Sequence, residues 1–96
     1  MWVLESSDPP LVFRIPSRSL MTMGRAARAD FIVDAPLVSR LHCRLTLDDH
    51  GRLEIEDLGS TNGTWVNGRK IKRAPLRSGD KLKVGRVEFA VTTGAN

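Results

Sequence analysis

Residues 57–64 form the segment of this sequence whose side chains are best suited to chemistry. The segment reads Asp57-Leu58-Gly59-Ser60-Thr61-Asn62-Gly63-Thr64, and so places hydroxyls, a side-chain amide and glycines between two strand-like stretches. A turn of this composition can direct backbone N–H groups, a hydroxyl and an amide toward one point, which suits an oxyanion such as phosphate. Taken alone it is a polar turn, and it becomes a binding site only where a cation and further donors meet it.

Two upstream segments offer that cation and those donors. Gly24-Arg25 precedes the loop of residues 26–30, and the guanidinium of Arg25 carries five donors in a planar fork that matches phosphate oxygens. Ser39-Arg40-Leu41-His42 adds a loop hydroxyl and backbone N–H groups. On position alone, Arg25 is equally consistent with a solvated surface arginine. His42, on the polar phase of a predicted strand, is interpreted as a side chain that braces the neighbouring loops by hydrogen bonds.

Short strands separated by turns must position these segments. Leu41, Cys43, Leu45 and Leu47 alternate with polar residues, which is the period-2 pattern of a half-buried strand. Asn67-Gly68 separates two strand-like stretches and predicts a tight hairpin, because both central residues of that turn need a positive φ. Helical periodicity is absent over any useful length, so we predict an all-β fold, either a sandwich or a barrel. The predicted strands cover residues 2–5, 11–15, 19–24, 41–47, 53–56, 64–66, 69–71, 81–84 and 87–91.

The composition is that of a small basic domain. A chain of 96 residues can bury one hydrophobic core, so residues 1–96 are predicted to form a single domain with a core from about residue 2 to residue 92. The net charge of +4 indicates acidic partners, which leaves nucleic acid, an anionic membrane and a phosphorylated protein open. We find no signal peptide and no apolar run long enough to span a bilayer, and the chain has one cysteine. These observations predict a cytoplasmic protein (or a nuclear one, in a eukaryote) without a membrane partner.

Several ordered motifs resemble those of the forkhead-associated (FHA) domain family. They are Gly24-Arg25, Ser39-Arg40-x-His42, the run 57–64, Val66-Asn67-Gly68, Leu76-x-x-Gly79-Asp80 and Val84-Gly85. The resemblance implies an antiparallel β-sandwich of the FHA/SMAD-like type whose loops at one end bind phosphothreonine in a partner protein. It implies a docking module in Ser/Thr kinase signalling, with no enzymatic activity, cofactor, metal or small-molecule substrate.

The resemblance also implies roles for individual residues. Arg25 and Ser39 would hold the phosphate, and Arg40 would contribute its backbone N–H or contact the main chain of the peptide. Asn62 would hydrogen-bond the peptide backbone, while Thr61 would act at the phosphate or beside it. The residues expected to support the binding loops are Gly24, His42, Asp57, Gly59 and Gly63. The apolar stretch 36–38 before Ser39 favours an apolar peptide residue C-terminal to the phosphothreonine.

Parts of the sequence are compatible with another class of function. A basic stretch, Arg69-Lys70-x-Lys72-Arg73 with Arg77, Lys81 and Lys83, is compatible with nucleic-acid binding. Aromatic content of only 5%, without tyrosine, disfavours nucleic acid, because base stacking needs exposed aromatics. The stretch is equally consistent with a solvated basic face that steers acidic partners. Trp2, Trp65 and Phe89 are interpreted as packing residues.

Two further alternatives concern the way in which the domain would act. A scaffold that binds an unphosphorylated protein surface is compatible with the same sequence. A catalytic triad of Ser39, His42 and Asp57 is disfavoured, since nothing in the sequence places the three together.

Overall fold

The structure, a computed structural model, describes residues 1–94, which fold into eleven strands without a helix. In chain order the strands are β1 (Trp2–Ser7), β2 (Pro10–Ile15), β3 (Ser19–Gly24), β4 (Phe31–Ile32), β5 (Cys43–Leu47), β6 (Leu53–Asp57), β7 (Thr64–Val66), β8 (Arg69–Lys70), β9 (Arg73–Leu76), β10 (Lys81–Val84) and β11 (Val87–Thr93). Within the described range, no helix is available that could cross a membrane.

The strands form two sheets that pack face to face. The first sheet has the order β2-β1-β11-β10-β7-β8, and the second has the order β4-β3-β5-β6-β9. Neighbouring strands are antiparallel, except that the two-residue strand β4 runs parallel to β3. The fold is therefore a β-sandwich, which confirms the predicted all-β class and decides against a barrel.

The core lies between the sheets and follows from alternation within each strand. Along β11, Val87, Phe89 and Val91 are buried while the residues between them face solvent. Strand β5 alternates in the same way and buries Cys43, as its apolar phase predicts. Each large aliphatic or aromatic side chain that is fully buried in this way stabilises the fold by about 1.5–3 kcal/mol relative to an exposed one. The sandwich is thus held by the same period-2 pattern that is visible in the sequence.

The strand predictions differ from the structure at three places. Strands β4 and β9 were not predicted, because β4 has only two residues and β9 contains Pro75, which interrupts a strand pattern. Strand β5 begins at Cys43 rather than at Leu41, so His42 lies just before the strand and is fully buried, not on a polar face. The predicted hairpin is present between β7 and β8, with positive φ at Asn67 (52°) and at Gly68 (83°).

The strand register brings four loops to the same end of the sandwich. In the second sheet, Met23 pairs with Cys43 and Cys43 pairs with Asp57, so β3 ends, β5 begins and β6 ends at one edge. In the first sheet, Val84 pairs with both Thr64 and Val87 at the corresponding edge. The four loops, residues 25–30, 33–42, 58–63 and 85–86, therefore lie together.

Candidate functional site

Gly24 allows the end of β3 to run against the segment that carries Ser39 and Arg40. A Cβ at Gly24 would lie 2.0 Å from the carbonyl oxygen of Arg40, which is a distance that no side chain can occupy. Because the two backbones are this close, Arg25 N–H donates to Ser39 O (2.9 Å) and Ala26 N–H donates to Arg40 O (3.0 Å). The glycine thus fixes Arg25 beside Ser39.

The Arg25 guanidinium is oriented by the same segment. Its Nε–H donates to the carbonyl oxygen of Val38 at 3.1 Å. Within residues 1–94, no protein acceptor is found for its two terminal nitrogens, and the side chain is in no ion pair. The guanidinium is therefore held at one nitrogen and presents its remaining donors to solvent at the site.

His42 connects two of the loops from a fully buried position. Its Nδ1 accepts a hydrogen bond from Ser39 N–H (3.0 Å), and its Nε2 lies 2.7 Å from Gly63 O. Since Nδ1 acts as an acceptor and a carbonyl can only accept, the ring is neutral and carries its proton on Nε2. The imidazole thereby ties the backbone at Ser39 to the backbone at Gly63.

Neither nitrogen of this ring bonds to Ser39 Oγ or to Asp57. The structure therefore does not assemble the Ser39, His42 and Asp57 side chains into a catalytic triad.

Asp57 organises the loop of residues 58–63. Its Oδ2 accepts from Gly59 N–H and Ser60 N–H, both at 3.0 Å, and its Oδ1 accepts from the hydroxyls of Ser60 (2.6 Å) and Thr64 (2.7 Å). Burial works to raise the pKa of Asp57, but the hydrogen bonds from Ser60 and Thr64 outweigh it and hold that pKa below its usual value of 3.8. Gly63 N–H donates to Ser60 Oγ, which closes the loop.

Positive φ values at Gly59 (73°) and Gly63 (92°) shape this loop in the left-handed region that favours glycine. At Gly63 a Cβ would also meet the side chains of Lys70 and Trp65, each at 2.9 Å. Gly63 is therefore constrained both by its backbone conformation and by its neighbours.

Thr61 and Asn62 join this loop to the segment before β5. Thr61 N–H donates to Ser39 Oγ (3.1 Å), so the serine hydroxyl accepts one bond and keeps its own proton for another acceptor. Asn62 Nδ2 donates to Leu37 O (3.1 Å), which leaves the side-chain Oδ1 as an acceptor at the surface. Asn62 thus supports the loop, a role that the sequence did not indicate for it.

Three residues near the site, Leu37, Asp34 and Gly85, have a placement that the sequence did not indicate. Leu37 has a φ of 72°, is 42% exposed and is approached closely by Gly85, whose Cβ would lie 2.6 Å from the Leu37 carbonyl oxygen. Asp34 places an exposed carboxylate among the residues that line the site. The apolar stretch 36–38 and the Val84-Gly85 motif both indicated this region, but neither revealed that Gly85 packs under Leu37.

These loops line a pocket of about 480 Å³ that is open to solvent. Of the five residues predicted to contact a ligand, the structure brings Arg25, Ser39, Thr61 and Asn62 to its lining, together with residues 34–38. Arg40 is exposed beside the pocket but is not part of the lining. The pocket combines one cation, the Asp34 carboxylate, hydroxyls and an amide, and the free donors of Arg25 and Ser39 suit an anion of phosphate size attached to a chain. In the described residues no cluster of His, Cys, Asp or Glu could hold a metal ion.

Comparisons with known proteins agree on one family. The family model of the FHA domain matches residues 21–85. The glycogen accumulation regulator GarA of Mycolicibacterium smegmatis is 35% identical over 71 residues, which is 74% of this chain and 44% of that protein. The chain spans about half the length of GarA and of other curated relatives that it matches equally well.

Solved structures of FHA domains share the whole fold. One, from a structural and functional analysis of phosphothreonine-dependent FHA domain interactions, superimposes with a TM-score of 0.91 at 27% identity and covers 99% of this chain and 98% of that chain. The FHA domain of the CT664 protein from Chlamydia trachomatis gives a TM-score of 0.90 at 26% identity, with 98% of both chains covered.

Proposed function

This chain belongs to the FHA domain family, and from that membership we propose that it is a phosphothreonine-binding module that docks a phosphorylated partner protein in Ser/Thr kinase signalling. The observation that carries the proposal is the convergence of Arg25, Ser39, Thr61 and Asn62 on one open pocket. The FHA interactions studied for the neighbour with the TM-score of 0.91 are phosphothreonine-dependent, which supports the same ligand here.

The free donors of the pocket match a phosphate group. A phosphothreonine carries about −1.5 to −2 charges and three acceptor oxygens. Arg25 offers its terminal nitrogens, Ser39 offers a hydroxyl proton, and the backbone N–H of Arg40 has no acceptor among residues 1–94. An arginine with several fixed donors answers this charge in a geometry that a lysine could not reproduce.

The peptide chain on either side of the phosphate would be bound by uncharged side chains. Asn62 Oδ1 is an acceptor for a peptide N–H, and its Nδ2 is held by Leu37, so the amide is already oriented before a ligand arrives. Thr61 lines the pocket beside Ser39, where its side chain would contact the phosphate or the residue that bears it. Leu37 exposes an apolar surface at the rim, which supports the predicted preference for an apolar residue C-terminal to the phosphothreonine.

The loop-supporting residues complete the proposal. Gly24, His42, Asp57, Gly59 and Gly63 would act by holding the donors in place rather than by touching the ligand. The module would act by binding alone, without catalysis and without a cofactor. Preference for phosphothreonine over phosphoserine would rest on one methyl group, which contributes about 1 kcal/mol when it is buried.

A peptide titration tests the proposal. Calorimetry would follow one peptide in its phosphothreonine, phosphoserine and unmodified forms, with the wild-type domain and with Arg25→Ala, Ser39→Ala and Asn62→Ala. We expect the phosphothreonine form to bind, and Arg25→Ala to weaken binding by about 10- to 100-fold, since a hydrogen-bonded charge pair is worth about 1.5–3 kcal/mol.

Arg28→Ala is the matched control, because Arg28 is an exposed arginine of the same loop that does not line the pocket. It should leave the affinity unchanged. Equal affinity for the unmodified peptide, or an equal loss in Arg25→Ala and Arg28→Ala, would refute the proposal.

A further inference from the structure

The basic stretch lies outside the phosphate pocket, and the strand register determines which of its residues are neighbours. Trp65 of β7 pairs with Lys70 of β8 on one side and with Lys83 of β10 on the other, so one row across the outer face of the first sheet reads Lys70-Trp65-Lys83. Lys83 Nζ lies 5.2 Å from the centre of the Trp65 ring. Lys81, two residues before Lys83, faces the same way in the next row. Trp65 is therefore half-buried on the outer face, where its ring packs against Gly63, whereas Phe89 lies in the core.

Among residues 1–94, the two lysines of this row are in no ion pair. The ion pairs within residues 1–94 are Arg18–Asp49, Arg44–Glu56 and Arg73–Glu54, so Arg73 is the one member of the basic stretch whose charge is paired in this range. Glu88 stands opposite Lys83 in the register but is not within ion-pair distance of it. Lys70 and Lys83 thus hold unpaired positive charge on both sides of a half-buried aromatic ring.

This row is continuous with the phosphate pocket through Gly63. The Trp65 ring and the Lys70 side chain both lie against Gly63, where a Cβ would be 2.9 Å from each. Gly63 follows Thr61 and Asn62, which line the pocket. Thr61 and Trp65 are four residues apart, so their Cα atoms are separated by at most about 14 Å, which four or five residues of extended peptide can cover.

We propose that Lys70, Trp65 and Lys83 bind an acidic segment that flanks the phosphothreonine in the same partner chain. The inference rests on the proposed function, because it takes the phosphate pocket as the anchor. Carboxylates four to seven residues from the phosphothreonine pair with Lys70 and Lys83, and the ring of Trp65 supplies an apolar surface for the chain between them. The row therefore acts as a second contact that selects among phosphothreonine sites by the charge around them.

The surroundings of the row favour an acidic peptide over nucleic acid. Trp65 is the one aromatic side chain in the row, and its ring is already packed against Gly63 and Lys83, so a stacking platform for successive bases is not formed. Glu88 and Glu5 lie on the same face beyond the lysines, so the positively charged surface is only as wide as a short segment and does not continue as a track for a line of phosphates. A short acidic segment needs only the two lysines.

Affinity measurements with three phosphothreonine peptides test this inference. All three share one neutral core, and two of them carry four glutamates, either four to seven residues before or four to seven residues after the phosphothreonine. We expect one acidic peptide to bind the wild-type domain about fivefold more tightly than the neutral peptide at low salt, since each exposed ion pair contributes about 0.5 kcal/mol. The advantage should disappear in about 0.5 M salt because exposed charges are screened.

Charge-reversed variants locate the effect. The double variant Lys70→Glu/Lys83→Glu should lose the advantage while it binds the neutral phosphopeptide as the wild type does, and the milder pair Lys70→Gln/Lys83→Gln gives the same test if the charge reversal affects folding. Arg14→Glu is the matched control, because Arg14 is exposed on the same face but lies on β2, at the opposite edge of the sheet. Four strand spacings, about 19 Å, separate β2 from β7, which carries Trp65. This variant should keep the advantage.

Any one of the following outcomes overturns the inference. It is wrong if neither acidic peptide binds better than the neutral one, if the double variant keeps the advantage, or if Arg14→Glu loses it equally. It is also wrong if a single-stranded oligonucleotide occupies the row more tightly than the acidic peptide and depends on Lys70 and Lys83. Failure of the neutral phosphopeptide to bind the wild type would overturn the proposed function as well, so the two failures are distinguishable.

Discussion

Replacement of His42 by leucine should both destabilise the domain and weaken phosphopeptide binding. The leucine side chain has a volume similar to that of the imidazole, so the substitution removes the hydrogen bonds of the ring without opening a large cavity. The bonds lost are those from Ser39 N–H (3.0 Å) and to Gly63 O (2.7 Å). Since His42 is fully buried, water cannot replace the lost partner.

The magnitude follows from the two backbone groups that lose their partner. A buried polar group left without a hydrogen bond costs about 1–3 kcal/mol, so the free energy of unfolding should fall by about 2–6 kcal/mol. A domain of this size has a stability of about 5–14 kcal/mol, so the variant should remain folded for a wild-type stability above about 6 kcal/mol. Its phosphopeptide affinity should fall as well, because Ser39 and Gly63 would no longer be fixed relative to each other.

Urea denaturation and calorimetry at low temperature measure the two effects separately. His42→Asn is the informative companion variant, because its side-chain oxygen can accept from Ser39 N–H while its amide is too short to reach Gly63. It should recover about half of the lost stability. Leu45→Ala is the control, since this fully buried residue in the middle of β5 should cost a similar 2–5 kcal/mol while the hydrogen bonds of His42 to Ser39 and Gly63 stay in place.

The reasoning would be refuted by either of two results. If His42→Leu unfolds within about 0.5 kcal/mol of the wild type, the two hydrogen bonds do not contribute as the geometry requires. If folded Leu45→Ala loses as much phosphopeptide affinity as folded His42→Leu, the loss reports general stability rather than the coupling of the two loops.

Three further predictions follow from the same geometry. Gly24→Ala should cost about 2–4 kcal/mol in urea denaturation, because its Cβ would force the Arg40 carbonyl away and break two backbone bonds, whereas Gly59→Ala, with open space but a φ of 73°, should cost only about 1 kcal/mol. Equal costs would contradict the close approach at Gly24. Asp57 has a folded pKa below 3.8, so the stability it contributes is present above that value and is lost as pH falls through the lower folded pKa. Acid titration of stability should therefore show the gap between wild type and Asp57→Asn closing below about pH 3.8, and a gap that widens there would reverse the assigned sign. Burial, with the nearby charge of Asp57, raises the pKa of the Cys43 thiol, so a thiol reagent should modify Cys43 in urea but not in the native domain, and rapid native modification would count against its burial.

Local pattern accounts for most of the fold. Alternation in the stretch that became β5 predicted a strand with the correct buried face, since period-2 alternation reports which side of a strand meets the core. Asn67-Gly68 predicted its hairpin because a requirement for positive φ is met by the residue type itself. Strands β4 and β9 escaped prediction because they are defined by their partners in the sheet rather than by their own pattern.

The site was predicted in part from ordered motifs. The resemblance to FHA domains indicated Arg25, Ser39, Thr61 and Asn62, and the structure brings those four to one pocket. It placed Arg40 outside the lining, and it buried His42, whose neighbours in sequence had suggested a polar strand face. Which of these residues contact a ligand stays a prediction for the titrations above.

The sequence by itself determined the elements: where strands alternate, where turns need glycine or asparagine, and which donors are available for a phosphate. The tertiary structure alone decided the pairings between distant residues. His42 contacts Gly63, 21 residues further along the chain, and Asn62 contacts Leu37 across 25 residues. Lys70 and Lys83 lie on opposite sides of Trp65. The physical reason is that propensity and periodicity act over a few neighbouring residues, whereas these contacts depend on sheet register, which is set when the whole core packs.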